Sequence, residues 1–345
     1  MHGDISIVAP LPTLPLLQEW LARRSYVSGQ FADRTRLLAA KRRRGLTVSL
    51  ILPTLNVADT IGPILSELDG LYGTLLDQLI VVDGQSTDTT VSIAEAAGVE
   101  VYQQDELRPE FGPARGKGDA MWRALGRADG DIVAFADADT RDFDAGAITA
   151  TLGPLLVDPE IQFSKAAYRR PFATSTGVTP EGGGRVTELT AKPLFNLFFP
   201  LLTGFAQPLA GEFAGTRDLL RSVPFFTGYG VETGLLIDTL RRVGLSAMAQ
   251  VDVGTRQNRH QPLADLSRMS YAVLRTVMTR LDDPESGRLA ERVLSESLYT
   301  HAATTGDGFR LMEYHEALIE RPPWTRLLDL TAADRPAPLL GSVAE

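Results

Sequence analysis

Short runs of continuous apolar residues alternate along the first half of the chain with segments whose apolar residues recur every three or four positions. Residues 46–52, LTVSLIL, read as a strand buried on both faces. A helix is expected over about residues 59–68, a strand at 79–82, a helix at about 89–97 and a short strand at 99–102. The apolar start of residues 132–140, IVAFADADT, adds another buried strand. Such alternation predicts an α/β fold: a mostly parallel, Rossmann-like sheet with right-handed crossovers, whose ligands gather at the carboxyl ends of its strands.

Beyond residue 144 the alternation fades. A strand is expected at 161–168, a glycine-rich turn at 182–184 leads into a helix, residues 228–232 open a helix running to about 240, and a strand follows at 247–253. From residue 262 the pattern turns helical, with amphipathic stretches near 269–280 and 287–299 suited to packing on the body or to a homodimer interface. The expected division is an N-terminal extension (1–45), a region of alternating strands and helices (46–150), a less regular region (151–262), and a mainly helical C-terminal region with a loose tail (263–345). The basic knot Lys41-Arg42-Arg43-Arg44 reads as a solvated junction before the first strong strand.

At 345 residues and 44% hydrophobic content the chain can bury a large core. Its 34 basic and 43 acidic residues give a net charge of -9, which argues against nucleic acid as a partner but leaves room for an anion in a local basic pocket. The absence of cysteine excludes disulfides, thiolate ligands and a cysteine nucleophile, and suits a cytoplasmic location. The N-terminus has no signal-peptide pattern. Residues 193–211 carry no charge, yet Pro193, Pro200 and Pro208 interrupt them, so buried helix and loop are expected rather than membrane insertion.

Candidate chemistry falls where strands should end. Asp137 and Asp139 are separated only by Ala138, and in an extended chain both carboxylates face one side. Like charges that close call for a cation, and oxygen ligands point to Mg2+ or Mn2+; a solvated strand end is the plainer alternative. Asp83 follows a buried strand and precedes glycine, which fits either a carboxylate reading a ribose or base edge or a brace for the turn. The GxGxxG fingerprint is absent, and Arg115-Gly116-Lys117-Gly118-Asp119 lacks the Ser or Thr of a P-loop. It does precede a helix, so backbone N–H groups, Arg115 and Lys117 can converge on the phosphates of a bound nucleotide. Arg185 and Thr187 after the glycine run are donors for a phosphate or carboxylate, or belong to a surface loop. Glu232 either favours its helix dipole or orients a polyhydroxylated substrate. His260, near two arginines after a strand, either completes a Mn or Mg site or is structural.

An ordered set of stretches carries a resemblance: PTLN (53–56), VDGQSTDTT (82–90), RGKGDAMWRAL (115–125), DAD (137–139), YRRP (168–171), GGGRVTEL (182–189), QPLAGEF (207–213) and GYGVETGLLIDT (228–239). Together they resemble the GT-A fold, retaining sugar-3-phosphoglycerate synthases, over about residues 46–270. The resemblance implies that Pro53, Thr54, Leu55, Asn56 and Asp83 hold the nucleoside and that Gly116 and Lys117 face the phosphates. It implies that Asp137 approaches the ribose or donor sugar and that Asp139 ligates Mg2+ or Mn2+. The family's histidine ligand falls on Asn258 by ungapped spacing; His260 is preferred as the ligand and Asn258 stays open, also as an acceptor contact. Arg169, Gly184, Arg185 and Thr187 would receive 3-phosphoglycerate, Glu232 would contact the donor sugar, and a backbone carbonyl near Leu209 would lie beneath the anomeric carbon.

Ala138 and Val57 replace a serine and an acidic residue often found in relatives that make the glucosyl product. With the cysteine-free composition, they favour transfer of mannose from GDP-mannose to the 2-hydroxyl of 3-phosphoglycerate; the alternative is glucose from UDP-glucose or GDP-glucose. No unambiguous carboxylate nucleophile is present, so same-face attack is expected rather than double displacement. Two readings of other classes remain: a sugar-nucleotide nucleotidyltransferase, which would release pyrophosphate, and a metabolite-binding protein without turnover.

Overall fold

A computed structural model describes residues 13–174, 177–179, 183–256, 261–281, 297–303, 309–315 and 318–328. In chain order the elements are α1 (Thr13–Arg24), β1 (Ser25–Val27), α2 (Arg34–Arg44), β2 (Val48–Thr54), α3 (Ala58–Asp69), β3 (Gln78–Asp83), α4 (Thr90–Ala96), β4 (Glu100–Gln103), α5 (Gly116–Ala124), β5 (Ile132–Phe135) and α6 (Ala145–Val157). They continue with β6 (Phe163–Arg169), β7 (Phe172–Thr174), β8 (Gly177–Thr179), α7 (Lys192–Phe198), β9 (Phe213–Thr216), α8 (Arg217–Ser222), β10 (Phe225–Phe226), α9 (Val231–Val243), β11 (Met248–Thr255), α10 (Leu263–Leu281), β12 (Ser297–Ala303), β13 (Phe309–His315), β14 (Glu320–Arg321) and α11 (Trp324–Leu328). Local chemistry sets several ends. The Asp33 carboxylate accepts from Arg36 N–H at 3.0 Å and caps α2, which Gly45 closes in the left-handed region. Asp144 does the same for α6 through Gly146 N–H at 2.7 Å.

Eight strands form one sheet in the order β1-β11-β6-β9-β5-β2-β3-β4. All neighbours run parallel except β9, which is antiparallel to both β5 and β6. From β2 the chain steps outward to β3 and β4, then returns to the other side of β2 as β5, so a topological switch lies between β2 and β5. Alternation along β2 divides the core: Ile51 faces a cluster with Trp122, Phe135, Phe163, Phe213 and Leu236, while Leu50 and Leu52 face one with Ile61, Leu65, Ile148 and Leu152. Helices therefore cover both faces, which explains why these strands read as unbroken apolar runs. This is a GT-A arrangement.

Two sequence expectations need correction. Residues 13–44 are part of the fold rather than an extension before it. β1 pairs in parallel with β11, and Trp20, 4% exposed, donates to Met248 O at 2.8 Å and lies 4.8 Å from the Phe205 ring. A three-residue strand has too few positions to show a period. In the basic knot, Lys41 is buried against Asp77 at 2.6 Å, and Arg44 donates to Leu155 O at 2.5 Å, so two of the four cations are structural. The C-terminal region is helical in α10 and α11 but also carries strands: β12 pairs antiparallel with β13, and β14 pairs with β10. Residues 297–299, placed in a helix by pattern, belong to β12. As expected, residues 193–211 are helix and loop, and no helix among the described residues is long and apolar enough to cross a membrane.

Trp20→Ala should cost about 3–5 kcal/mol, as for other buried aromatic truncations. Denaturant unfolding would read this, and a change below about 0.5 kcal/mol would show that α1 contributes nothing to the core.

Candidate active site

β5 ends at Phe135, and the chain bends at Ala138 and Asp139 instead of staying extended. The two acids therefore do not share one side of a strand. Asp137 turns inward to Lys117 of α5 at 2.5 Å, and the same ammonium reaches Glu232 in the first turn of α9 at 3.0 Å. Burial alone would lower the Lys117 pKa, but the charges of Asp137 and Glu232 outweigh it and raise it well above its ordinary value. For Asp137, burial pulls its pKa up, yet Lys117 brings it below the usual carboxylate range. The cation that the Asp pair requires is thus, for Asp137, a lysine. Asp139 stays accessible to solvent, and no side chain among the described residues bonds its carboxylate; burial, then the Asp137 charge, raises its pKa.

The space for this clasp depends on Gly211. A Cβ there would lie 2.3 Å from an Asp137 oxygen and 2.4 Å from Lys117 Nζ. α5 itself approaches β10 through Gly118, where a Cβ would meet Phe226 O at 2.1 Å.

On the nucleoside side, Asp83 is completely buried. Its carboxylate accepts from Thr54 Oγ1 at 3.0 Å, Ser86 N–H at 2.7 Å and Ser86 Oγ at 2.6 Å. Of its two readings, these bonds are those of the turn brace. The brace ties the loop after β2 to the loop after β3, with Asn56 Oδ1 accepting from Thr87 N–H at 2.8 Å. Asn56 and Gln85 both adopt positive φ on these loops, while half-buried Pro53 and Leu55, 58% exposed, form the rim. Gly116, with φ +72°, starts α5 at the same edge.

Of the arginine pair after β6, Arg169 faces away and meets Asp252 at 3.2 Å on an exposed edge. Arg170 is the one beside the site: it donates to Tyr168 Oη at 2.9 Å, and its charge acts on Asp137. A Cβ at Gly184 would lie 3.3 Å from Arg170 Cδ and 3.7 Å from Thr187 Oγ1, so these three form one small concavity. Arg185 lies beside it, donating to Gln261 O at 3.0 Å. Thr187 opens a π-helical turn, a local irregularity often found at functional sites. Leu209 sits in the turn closed by Ala210 N–H to Gln207 O at 3.1 Å. Asn258 and His260 lie outside the described residues; among the described ones, no group of three or more His, Asp or Glu side chains forms a metal cluster.

Four more charged groups at this edge escaped the sequence reading as site residues. Lys165, inside the apolar β6, donates to Ala210 O at 2.5 Å, and burial pushes it down to about 8. Glu212 precedes β9, and burial pushes it up to about 7 despite Arg256 at 3.7 Å. Arg170 and Arg256 each keep a buried guanidinium nitrogen without a hydrogen-bond partner among the described residues. A lysine within an apolar strand was the available signal for Lys165; the second arginine of YRRP was the one for Arg170.

A switch-point crevice lined by a lysine and acids defines the class, a nucleotide-sugar glycosyltransferase, and residues 49–165 match glycosyl transferase family 2. A glucosyl-3-phosphoglycerate synthase of Mycolicibacterium smegmatis is 43% identical over 83% of this chain and 91% of its own. The chain belongs to the family of glucosyl- and mannosyl-3-phosphoglycerate synthases. Among solved structures, mannosyl-3-phosphoglycerate synthase from Rubrobacter xylanophilus is 52% identical with TM-score 0.82, covering 90% of this chain and 98% of that one. Glucosyl-3-phosphoglycerate synthase from Mycobacterium tuberculosis, in complex with Mn2+, uridine-diphosphate-glucose and phosphoglyceric acid, is 40% identical with TM-score 0.73, covering 86% and 95%.

These findings correct the GDP-mannose expectation. The curated relatives at 40–43% identity are named glucosyl-3-phosphoglycerate synthases, and a solved relative holds uridine-diphosphate-glucose. The physical reason is visible in the two residues that carried it. Ala138 is 2% exposed within the core cluster that Val57 also packs against, so both side chains serve the core and neither reports on the donor sugar.

Glu212 generates a test. Its folded pKa of about 7 lies above the ordinary 4.5, so the native state holds the extra proton between these values and stability falls as pH rises through that window. Glu212→Gln should remove this slope, on the order of 3 kcal/mol integrated. Unfolding midpoints of both proteins from pH 4.5 to 7.5 would check it; parallel curves would refute the buried-acid assignment.

Proposed function

We propose that the chain is a cytoplasmic, metal-dependent retaining enzyme that moves glucose from UDP-glucose to the 2-hydroxyl of 3-phosphoglycerate. The carrying observation is the Lys117 clasp between Asp137 and Glu232, with the Asp139 carboxylate beside it bonded by no side chain among the described residues. An exposed acid whose pKa is raised by burial and a neighbouring charge is a fitting oxygen donor for Mg2+ or Mn2+. Asp139 would hold the ion, with His260 or Asn258 as its further protein ligand. When bound, it supplies Lewis-acid neutralisation of the leaving diphosphate.

The protein's own groups do the rest. Pro53 to Asn56 receive the nucleoside on the rim set by Asp83, and Gly116 and Lys117 face the diphosphate. Asp137 and Glu232 address the donor sugar while holding the lysine. Arg170, Gly184, Arg185 and Thr187 take the acceptor's phosphate; their clustering around one concavity supports this, and Arg169 is replaced in the set by Arg170. The acceptor 2-hydroxyl attacks the anomeric carbon on the face from which UDP departs, its proton passing to the departing phosphate oxygen. The turn carrying Leu209 lies below, where its carbonyl stabilises positive charge developing on the sugar. Glu212 is not the nucleophile in this scheme, and a sugar trapped covalently on it would overturn the step.

A second copy of the chain is the inferred partner for the groove of about 280 Å³ between the turn after Thr187 and α10, where Leu189, Leu263 and Leu274 are exposed. Sedimentation at micromolar concentration should give twice the monomer mass; a monomer would refute the dimer.

With Mn2+ and 3-phosphoglycerate, the purified enzyme should form product from UDP-glucose faster than from GDP-glucose or GDP-mannose. A preference for GDP-mannose would overturn the donor, and turnover without loss of metal dependence in Asp139→Ala would overturn the site. The expected loss for Asp139→Ala is about a thousandfold in kcat/KM, roughly 4 kcal/mol. Arg185→Ala should weaken use of phosphorylated over unphosphorylated glycerate.

A further inference from the structure

The C-terminal strap, residues 318–328, reaches back to α5. Ile319 and Thr227 exchange hydrogen bonds, Thr227 N–H to Ile319 O at 2.9 Å and Ile319 N–H to Thr227 Oγ1 at 3.1 Å, extending the β14–β10 pair. Trp324 donates to Trp122 O at 2.8 Å, and Trp122 donates to Pro322 O at 2.9 Å. Between these anchors, Arg321 forms a fork on Asp119, Nε to Oδ1 at 2.8 Å and Nη2 to Oδ2 at 2.7 Å, and its Nη1 donates to Phe111 O at 2.9 Å. Both residues are buried, Asp119 completely.

The Asp119 carboxylate has a further duty. Its Oδ2 accepts from Arg115 N–H at 2.9 Å, the residue before Gly116 and Lys117, while Arg115 O accepts from Gly228 N–H at 3.2 Å. Arg321, Asp119 and Arg115 N–H are thus links of one chain ending two residues from the clasp lysine.

We propose that Arg321 is a positioning residue for donor binding: through Asp119 it fixes the turn that delivers Lys117 to the crevice. The inference rests on the reading in which Lys117 faces the donor diphosphate. Arg321→Lys would keep the charge but lose the planar two-bond fork, leaving Asp119 to the longer contacts from Arg123 at 3.3 and 3.5 Å and loosening its hold on the Arg115 N–H. The effect belongs on donor affinity, because among the described residues the acceptor concavity at Gly184 and Thr187 shares no bond with this chain of contacts.

The test uses full-length wild type, Arg321→Lys, Asp119→Asn and the control Glu320→Gln. Glu320 anchors the same strap to Arg280 at 2.8 Å and does not touch Asp119. Initial rates over both substrates and calorimetric binding of UDP with Mn2+ are read beside melting temperatures. Arg321→Lys and Asp119→Asn should raise the donor KM and the UDP Kd about tenfold, with acceptor KM and kcat within about twofold; Glu320→Gln should move neither. Should Arg321→Lys fail to fold, Asp119→Asn carries the test alone. Unchanged UDP affinity in a folded variant, or donor and acceptor KM rising together with a falling melting temperature, would overturn the proposal. A wild type that binds no UDP would instead sink the donor-site reading beneath it.

Discussion

One ammonium holds this site together. Lys117 bonds Asp137 from the end of β5 and Glu232 from the start of α9, so a single cation joins three segments far apart in sequence. Two acids in so enclosed a space would otherwise repel. A buried ion pair adds little net stability, but losing one partner costs about 3–5 kcal/mol, because a stranded charge remains. The clasp therefore fixes geometry more than it strengthens the fold. Gly211 shows how tightly the surroundings are fitted to it, since one methyl group there would displace both members of the Lys117–Asp137 pair.

The sheet explains how such distant segments converge. Parallel strands β2, β3, β5, β6 and β11 all end at one edge, and the lone antiparallel strand β9 begins there, its Phe213 paired with Phe135 and Lys165. Reversing that strand brings Glu212 and the turn at Leu209 to the edge where Asp137 and Arg170 leave their own strands. Phe213 stacks between Phe135 at 5.0 Å and Phe163 at 5.6 Å, which secures the insertion from below.

What the sequence made legible follows from how local each signal is. β2, β3 and β5 announce themselves because strands covered on both faces are unbroken apolar runs. Lys117 and Glu232 stood out as members of polar clusters at expected strand or helix ends. β1 and β14 did not, because two or three residues carry no period and their place is set wholly by their partners β11 and β10. The choice of Arg170 over Arg169 depends on which way each side chain leaves the end of β6, and the chain after a strand no longer keeps strict alternation. Asp83 leaves two readings open for a related reason: an acid at a strand end can face a ligand or brace a turn, and only the fold shows its bracing hydrogen bonds to Thr54 and Ser86.

Charge balance gives the site its final logic. In the proposed reaction a diphosphate and a phosphorylated acid must meet beside Asp137, Asp139 and Glu232, all acids. Lys117 is already committed to two of them. Arg170 and Arg256 also bring positive charge to this edge, and each keeps a buried nitrogen without a hydrogen-bond partner among the described residues, which is costly in the folded protein alone. An anion that accepts from those nitrogens recovers that cost on binding, whereas a neutral ligand without acceptors recovers none. Lys165 among these groups is pushed down to about 8 by burial. In the proposed scheme a divalent ion on Asp139 would be the economical remainder, since it would bring charge to the site only together with the diphosphate that needs it.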